Sequence, residues 1–465
     1  AAPFPCSGAA MKLSTRPLVF LASLVLAVLL AVGPVPQPLG RNAAVVLVTL
    51  ALWSTGLVPP FLTSLIFFAA VLIPGLAPPE LVFAGFGSAA VWLIVSGFVI
   101  GAAITGSGLG GRIAGVLAPL AGGSYLRLVA VMTLAAMALG FVMPSSVGRA
   151  VVLVPVGMAL AERLGLHKGS NGRIGLAVAL TLACNMPSFA ILPSNIPNMI
   201  LAGAAEGQHG VTFGYMSYLL LHYPVLGIAK SALTVALIVA LFPDRIEAGS
   251  AEATPRAPLS PQERRVALIL AATLALWMTD RLHGVGPAWI GIATAALLLM
   301  PGLGAVPPKQ FNASVDFGMV LFVAGALALG AVVNASGLGS VLGGVLQDWL
   351  PLHQGASFVN FLSLTSMSGL MGLVTTNPGV PTVLTPMAPD LAAATGLSLK
   401  AVLMTQVVGF ATVIFPYQVG PLVLAMQLSG EKLGHVLRIT VPLAVLTFLV
   451  LMPLDWLWWR LLGWL

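Results

Sequence analysis

Charge is scarce in this chain. Only 7% of its 465 residues are charged, with 20 Lys and Arg against 13 Asp and Glu, where a soluble globular protein carries about 25%. A chain that is also 58% hydrophobic cannot hide its apolar surface in a water-soluble core. Cysteine is nearly missing: Cys6 and Cys184 are the only two, which excludes a disulfide framework or a thiolate metal centre. No glycine-rich phosphate loop precedes a Lys-Ser or Lys-Thr pair, so ATP does not drive this protein. No His/Cys/Asp cluster and no nucleophile-base-acid set stands out. The expectation is a non-enzyme without a cofactor. No soluble basic domain exists, so the net charge of +7 does not read as nucleic-acid binding.

What is abundant is long apolar sequence. The mean hydropathy is +1.04, with 51 Gly and 35 Pro scattered through it. The runs are too long for the alternating strands of an outer-membrane barrel. The expectation is an all-α integral membrane protein, with room for roughly ten to twelve helices of about 20 residues. Residues 1–16 read as an N-terminal tail and 17–41 as the first membrane helix. Residues 42–242 and 263–465 form two long apolar halves, joined by a hydrophilic cytoplasmic linker at 243–262. Within them, 122–163 and 354–396 are apolar but broken at the centre by Met143-Pro144-Ser145-Ser146-Val147-Gly148 and Val374-Thr375-Thr376-Asn377-Pro378-Gly379. Two short arms meeting at such a polar turn make a re-entrant hairpin, whose exposed backbone must be buried in protein or line a cavity. Eleven spans plus two hairpins, with a cytoplasmic N-terminus and an extracytoplasmic C-terminus, place fourteen of the 20 basic residues inside and four outside. Arg149 and Lys230 remain at membrane depth. Trp456, Trp458 and Trp459 are expected at the outer interface.

The halves resemble one another. Ser107-Gly108-Leu109-Gly110 recurs as Ser336-Gly337-Leu338-Gly339, each after an apolar span and before a glycine-rich amphipathic piece. A broken hairpin follows in each half, with a proline in its second arm (Pro155 and Pro386). An interrupted span follows in turn: Pro193-Ser194-Asn195-Ile196-Pro197-Asn198 and Pro416-Tyr417-Gln418-Val419-Gly420-Pro421. Five spans per copy is an odd number, so the second copy is inverted. Inverted repeats with paired broken helices are typical of secondary transporters, whose substrate lies where half-helix ends converge.

The four breaks are rich in hydroxyls and amides and poor in charge. Such groups suit an oxyanion held by hydrogen bonds or a sodium ion held by neutral oxygens. They also suit the plainer task of capping broken helices. Ser145, Ser146, Arg149, Asn198, Thr376, Asn377 and Gln418 are candidates for the substrate. Ser145, Ser146, Asn195, Thr375, Thr376 and Asn377 are candidates for sodium. A charge inside a membrane domain is functional by default, which singles out Arg149 and, less directly, Lys230. His222 and Asp316 read as interfacial, and no carboxylate falls convincingly mid-span.

These segments resemble the divalent anion:sodium symporter (DASS) family of the ion-transporter superfamily. The resemblance runs from about residue 40 to the end. It rests on Ala51-Leu52-Trp53-Ser54-Thr55-Gly56-Leu57-Val58-Pro59 and on the span from Phe86-Gly87-Ser88 through Val91-Trp92-Leu93 to Gly106-Ser107-Gly108-Leu109-Gly110. The family's two Ser-Asn-Thr hairpin motifs are similar in place to Ser145-Ser146-Val147 and Thr376-Asn377-Pro378. The resemblance implies a homodimer with scaffold and transport domains, elevator-type movement, and dicarboxylate, citrate or sulfate substrates. The departures are specific. Ser146 stands for Asn and Val147 for Thr in the first motif, and Pro378 for Thr in the second. Phe141 and Gly372 stand where the family tends to carry a hydroxyl. The expectation is a secondary transporter of small dianions in a cell inner membrane, coupled to sodium. The alternative is a sodium-independent anion exchanger in which Arg149 or Lys230 supplies a fixed positive charge.

Overall fold

The computed structural model of the chain describes residues 15–33, 35–109, 112, 123–246 and 258–465. The 1–14 tail, most of the amphipathic piece after Arg112 and most of the linker lie outside the described residues.

Every regular element among the described residues is helical. We number the helices of eight residues or more: α1 Thr15–Val32, α2 Leu39–Thr55, α3 Pro60–Leu72, α4 Ala89–Ser107, α5 Tyr125–Val142, α6 Ser146–Arg163, α7 Asn171–Ala183, α8 Ile196–His209, α9 Tyr215–Leu241, α10 Pro261–Met278, α11 Pro287–Leu299, α12 Phe317–Ala335, α13 Leu338–Trp349, α14 Ser357–Thr375, α15 Gly379–Thr395, α16 Leu399–Phe410, α17 Gly420–Ser429 and α18 Leu433–Leu461. Seven helices among the described residues are long and apolar enough to cross a bilayer, and α15 with α16 forms a further pair bent by 118°. Large apolar side chains are exposed along several of these helices, as on Leu18 and Leu29 of α1 and Phe448 and Leu449 of α18. That is the surface a lipid solvent accepts.

Helix ends are set by local chemistry. Ser88, Ser124, Ser145, Ser170 and Ser398 each accept a hydrogen bond from a backbone N–H in the first turn they cap. Ser260 and Glu263 form a full capping box at α10. Each cap contributes about 1 kcal/mol. The Ser-Gly-Leu-Gly copies fold alike. Gly108 and Gly337 both take the left-handed conformation, with φ 79° and 76°, which only glycine adopts freely. In both, the serine hydroxyl accepts from the leucine N–H, Ser107 from Leu109 at 3.4 Å and Ser336 from Leu338 at 3.5 Å.

The buried apolar residues fall into two main bodies. One core gathers residues of α5–α9 with those of α14–α18. The other body has two cores, one of α4, α10, α11 and α12 with Met199, Ile200 and Ala204 of α8 and Tyr215 and Leu219 of α9, and one of α2, α3 and α12. The two halves interlock within the first body. α6 of the first half packs on α17 of the second, and α8 of the first half packs on the start of α15 of the second.

The chain ends differ from one expectation. Trp459 is fully buried, stacked edge-on to Phe361 at 5.1 Å, rather than lying at an interface. Trp456 and Trp458 remain partly exposed. His222, expected at an interface, is also fully buried.

Candidate anion-binding site

Two breaks in the first half come together. α5 ends at Val142, Met143 and Pro144 turn the chain, and α6 starts at Ser146. α7 ends at Ala183, two short 3-10 turns follow, and α8 starts at Ile196. Pro144, Pro187, Pro193 and Pro197 deny the backbone N–H groups that would continue each helix. The first-turn amides of α6 and α8 therefore open on the same space. It is a cavity of about 620 Å³ lined by Met143–Gly148, by Ser194, Asn195 and Ile196, and by the α4 stretch Leu93–Gly106. Gly97 makes room for the tip, since a Cβ there would lie 3.2 Å from Pro144. Asp316 stands at the exposed rim, where its carboxylate accepts from Met319 N at 3.0 Å and caps α12.

Two helix N-termini border one cavity and lend it positive character within a lining that is otherwise mostly apolar. Each N-terminus carries about half an elementary charge and unpaired N–H groups. Ser145 caps α6 by accepting from Gly148 N at 3.1 Å, yet the residue still lines the cavity.

Arg149 sits behind this surface, with no exposure to solvent. All five of its N–H groups are engaged. Nε donates to Cys184 O at 2.9 Å, and Nη1 donates to Met143 O and to Ser194 Oγ at 3.0 Å. Nη2 donates to Ser146 Oγ at 2.9 Å and to Ser194 O at 3.5 Å. Ser194 Oγ in turn donates to Gly140 O at 2.7 Å. The guanidinium thus ties the α5–α6 turn to the α7–α8 break, and it has no donor left for a solute. Its charge reaches the cavity through space. Three carbonyls and two hydroxyls, all neutral oxygens, thus surround the guanidinium.

The remaining candidates fall elsewhere. Asn195 lines the cavity and donates to Ser188 Oγ at 3.0 Å. Asn198 is fully buried and braces the break, its amide donating to Ser188 O, Phe189 O and Ile191 O at 3.0–3.1 Å. The second-half residues form a parallel cluster. Asn377 donates its amide to Phe410 O at 2.5 Å and its backbone N–H to Gln418 O at 3.1 Å. Gln418 Oε1 accepts from Ile414 N and Phe415 N, both at 2.8 Å. Thr375 Oγ1 donates to Met371 O at 3.0 Å. Thr376 carries φ 65° and ψ 163°, a strained conformation for a β-branched residue. Pro421 at the second-half break and the stretch 310–319 are the second-half contributions to the lining of the first cavity.

Sequence reasoning names Ser194 only as part of its break and passes over Asp455. Ser194 lines the cavity and holds Arg149. Asp455 is fully buried in α18. A serine inside a Pro-Ser-Asn turn was the available signal for the first. An acid in an otherwise apolar run was the signal for the second.

Comparison with known proteins gives a consistent picture. The sequence profile of the citrate transporter family matches residues 48–409. A protein of Cupriavidus necator described as "Membrane protein" is 25% identical, over 94% of this chain and 92% of its own length. The chloroplastic dicarboxylate transporter 1 of Spinacia oleracea is 25% identical over 78% of this chain and 70% of its own. The L-tartrate/succinate antiporter of Escherichia coli K12 is 24% identical over 57% of this chain and 58% of its own. Two solved structures share the fold over almost the whole chain. They are the YdaH transporter of Alcanivorax borkumensis (TM-score 0.56, 17% identity, 97% of this chain and 98% of that one) and Neisseria gonorrhoeae MtrF, of a class of antimetabolite efflux pumps (TM-score 0.56, 14% identity, 96% and 94%).

Proposed function

We propose, for a chain that belongs to the citrate transporter family, that it carries small dicarboxylate-type anions across a cell inner membrane by alternating access. One observation carries this reading: the N-termini of α6 and α8 open on a common cavity, with the buried guanidinium of Arg149 behind them. Helix N-termini and backbone amides favour negative charge, and a cavity of about 620 Å³ has room for a small dicarboxylate or an inorganic oxyanion. The names of relatives agree, since they include a dicarboxylate transporter and a tartrate/succinate antiporter.

The finer architecture belongs to the same proposal. The hairpin motifs resemble the DASS branch of the ion-transporter superfamily. In that reading eleven spans and two re-entrant hairpins (α5–α6 and α14–α15) form an inverted repeat. The interlocked body of α5–α9 and α14–α18 is then the moving part, and α2–α4 with α10–α12 is the fixed scaffold of a homodimer. The alike Ser-Gly-Leu-Gly turns and the reciprocal packing of the halves support the repeat.

Arg149 favours the sodium-independent alternative at the first half-site. A sodium ion within about 4 Å of the guanidinium meets a repulsion of about 4 kcal/mol at the effective dielectric of a partly wet site. The test is counterflow of radiolabelled succinate, tartrate and sulfate into proteoliposomes in sodium, potassium or choline chloride. Equal uptake in the three salts is expected for the anion that is carried. A requirement for sodium overturns the sodium-free reading, and no uptake of any anion overturns the transport reading.

A further inference from the structure

The cavity at the first-half breaks is polar in one corner and apolar along most of its wall. Ser145 Oγ accepts from Gly148 N and Ser146 Oγ accepts from Arg149 Nη2, so each hydroxyl keeps its own proton to donate. Both residues line the cavity where α6 begins, and Ser194 and Asn195 close the same corner where α8 begins. A carboxylate placed there meets two hydroxyl donors, two helix N-termini and the through-space charge of Arg149.

The rest of the lining does not answer a second negative charge. Among the described residues no Lys, Arg or His lines the cavity. Lys230, the other cation at membrane depth, donates to Ala411 O at 2.6 Å and is absent from the lining. The hydroxyls of Thr105 and Ser314 are turned back on Gly101 O and Gln310 O, at 2.9 Å each. Asp316 adds a carboxylate of its own at the exposed rim. The wall is instead apolar: Leu93, Ile94 and Phe98 of α4, Met199 of α8 and Met319 of α12. Val147, next in the chain to the two serines, is 40% exposed and lines the cavity with its methyl groups. At about 620 Å³ the cavity falls in the range that encloses drug-sized ligands, about 300–1,000 Å³. A four-carbon dianion leaves most of these apolar side chains against water, whereas a ring or a branched chain covers them.

We propose that this cavity selects carboxylates that carry a bulky apolar body, of the arylalkanoate kind, over compact hydrophilic dianions. The inference rests on the anion-transport reading above and narrows its substrate. One carboxylate lies at Ser145, Ser146 and the N-termini of α6 and α8. The body lies beside Val147, along Phe98, Met199 and Met319. A second carboxylate gains nothing from this wall, so a dicarboxylate binds better the larger its apolar body.

The experiment measures binding to the purified full chain in detergent at about pH 7.5, where the carboxyls are ionised. Titration calorimetry compares two pairs that differ by one phenyl group, succinate with phenylsuccinate and acetate with phenylacetate. Phenylacetamide has the ring without the charge and controls for partition into the micelle. The phenyl member of each pair is expected to bind about tenfold more tightly or better, because a ring buried against apolar walls leaves water. Phenylacetamide is expected not to bind. Val147→Thr replaces one methyl by a hydroxyl at nearly constant shape, and is expected to lower the preference for phenylsuccinate over succinate about threefold. Succinate or sulfate bound as tightly as phenylsuccinate overturns the proposal and leaves the transport reading standing. Phenylacetamide bound as tightly as phenylacetate also overturns it, because the carboxylate is then not read. An unchanged preference in Val147→Thr overturns it as well, since the body is then seated elsewhere. A chain that binds none of these anions, nor tartrate nor citrate, overturns both readings. The two pairs measured on the unmodified chain decide alone if the variant does not fold.

Discussion

Asn377 and Gln418 hold each other by two contacts: the Asn377 backbone N–H donates to Gln418 O at 3.1 Å, and the Gln418 amide donates to Asn377 Oδ1 at 3.5 Å. This pair joins the α14–α15 turn to the α16–α17 break, as Arg149 joins the two breaks of the first half. Gln418→Ala orphans the backbone N–H groups of Ile414 and Phe415 at a cost of about 1–3 kcal/mol each. A lower melting temperature and at least a tenfold loss of uptake are expected. Gln418→Glu keeps an acceptor oxygen for both backbone N–H groups but loses the amide donor to Asn377 Oδ1 and adds a negative charge. It should lose anion uptake more than stability, and an equal loss of both in the two variants removes Gln418 from the substrate path.

Arg149→Ala empties a site ringed by Met143 O, Cys184 O and Ser194 O. Uptake in choline chloride is expected to fall at least tenfold, and sodium chloride is expected to restore part of it. Arg149→Lys keeps the charge while losing most of the five hydrogen bonds, so its uptake should stay indifferent to sodium while its melting temperature falls. Uptake by Arg149→Ala that matches the unmodified chain in every salt excludes the residue from the mechanism.

Thr376 stands where the backbone favours glycine. Thr376→Gly releases strain of about 1–3 kcal/mol. The variant is expected to melt higher and to transport more slowly, because a looser turn holds Asn377 less firmly. Thermal shift and initial uptake rates measured side by side check this. Unchanged stability would show that the strain is borne elsewhere.

Cavity volume should set transport in a graded way. Ala102 lines the cavity on α4, opposite the α5–α6 turn. Ala102→Val should slow uptake of citrate more than that of sulfate, and Ala102→Trp should stop both while the chain stays folded in size-exclusion chromatography. Equal effects on large and small anions place the solute elsewhere.

Much of this fold is legible in the sequence, because lipid imposes a coarse and dependable rule: apolar runs of sufficient length become helices. The breaks are legible as well, since Pro144, Pro193, Pro378 and Pro416 stop helices by their chemistry whatever surrounds them. The role of Arg149 is only half legible. Its position one turn into α6 is written in the chain, but the carbonyls that saturate it come from residues up to 45 positions away. Asp455 is hidden for a related reason. An acid in an apolar run is the available signal, but only the packing of other helices against α18 buries it. The difference at Trp459 follows too, for a tryptophan near a terminus reads as an interfacial anchor until Phe361 and His222 close over it.

The interlocking of the halves bears on how such a chain is made. α6 lacks part of its packing surface until α17 has been synthesised, and α8 lacks part of its own until α12 and the start of α15 have. The half that leaves the ribosome first therefore waits in the bilayer with its polar turns unburied, and two separately expressed halves should insert but assemble only when they meet.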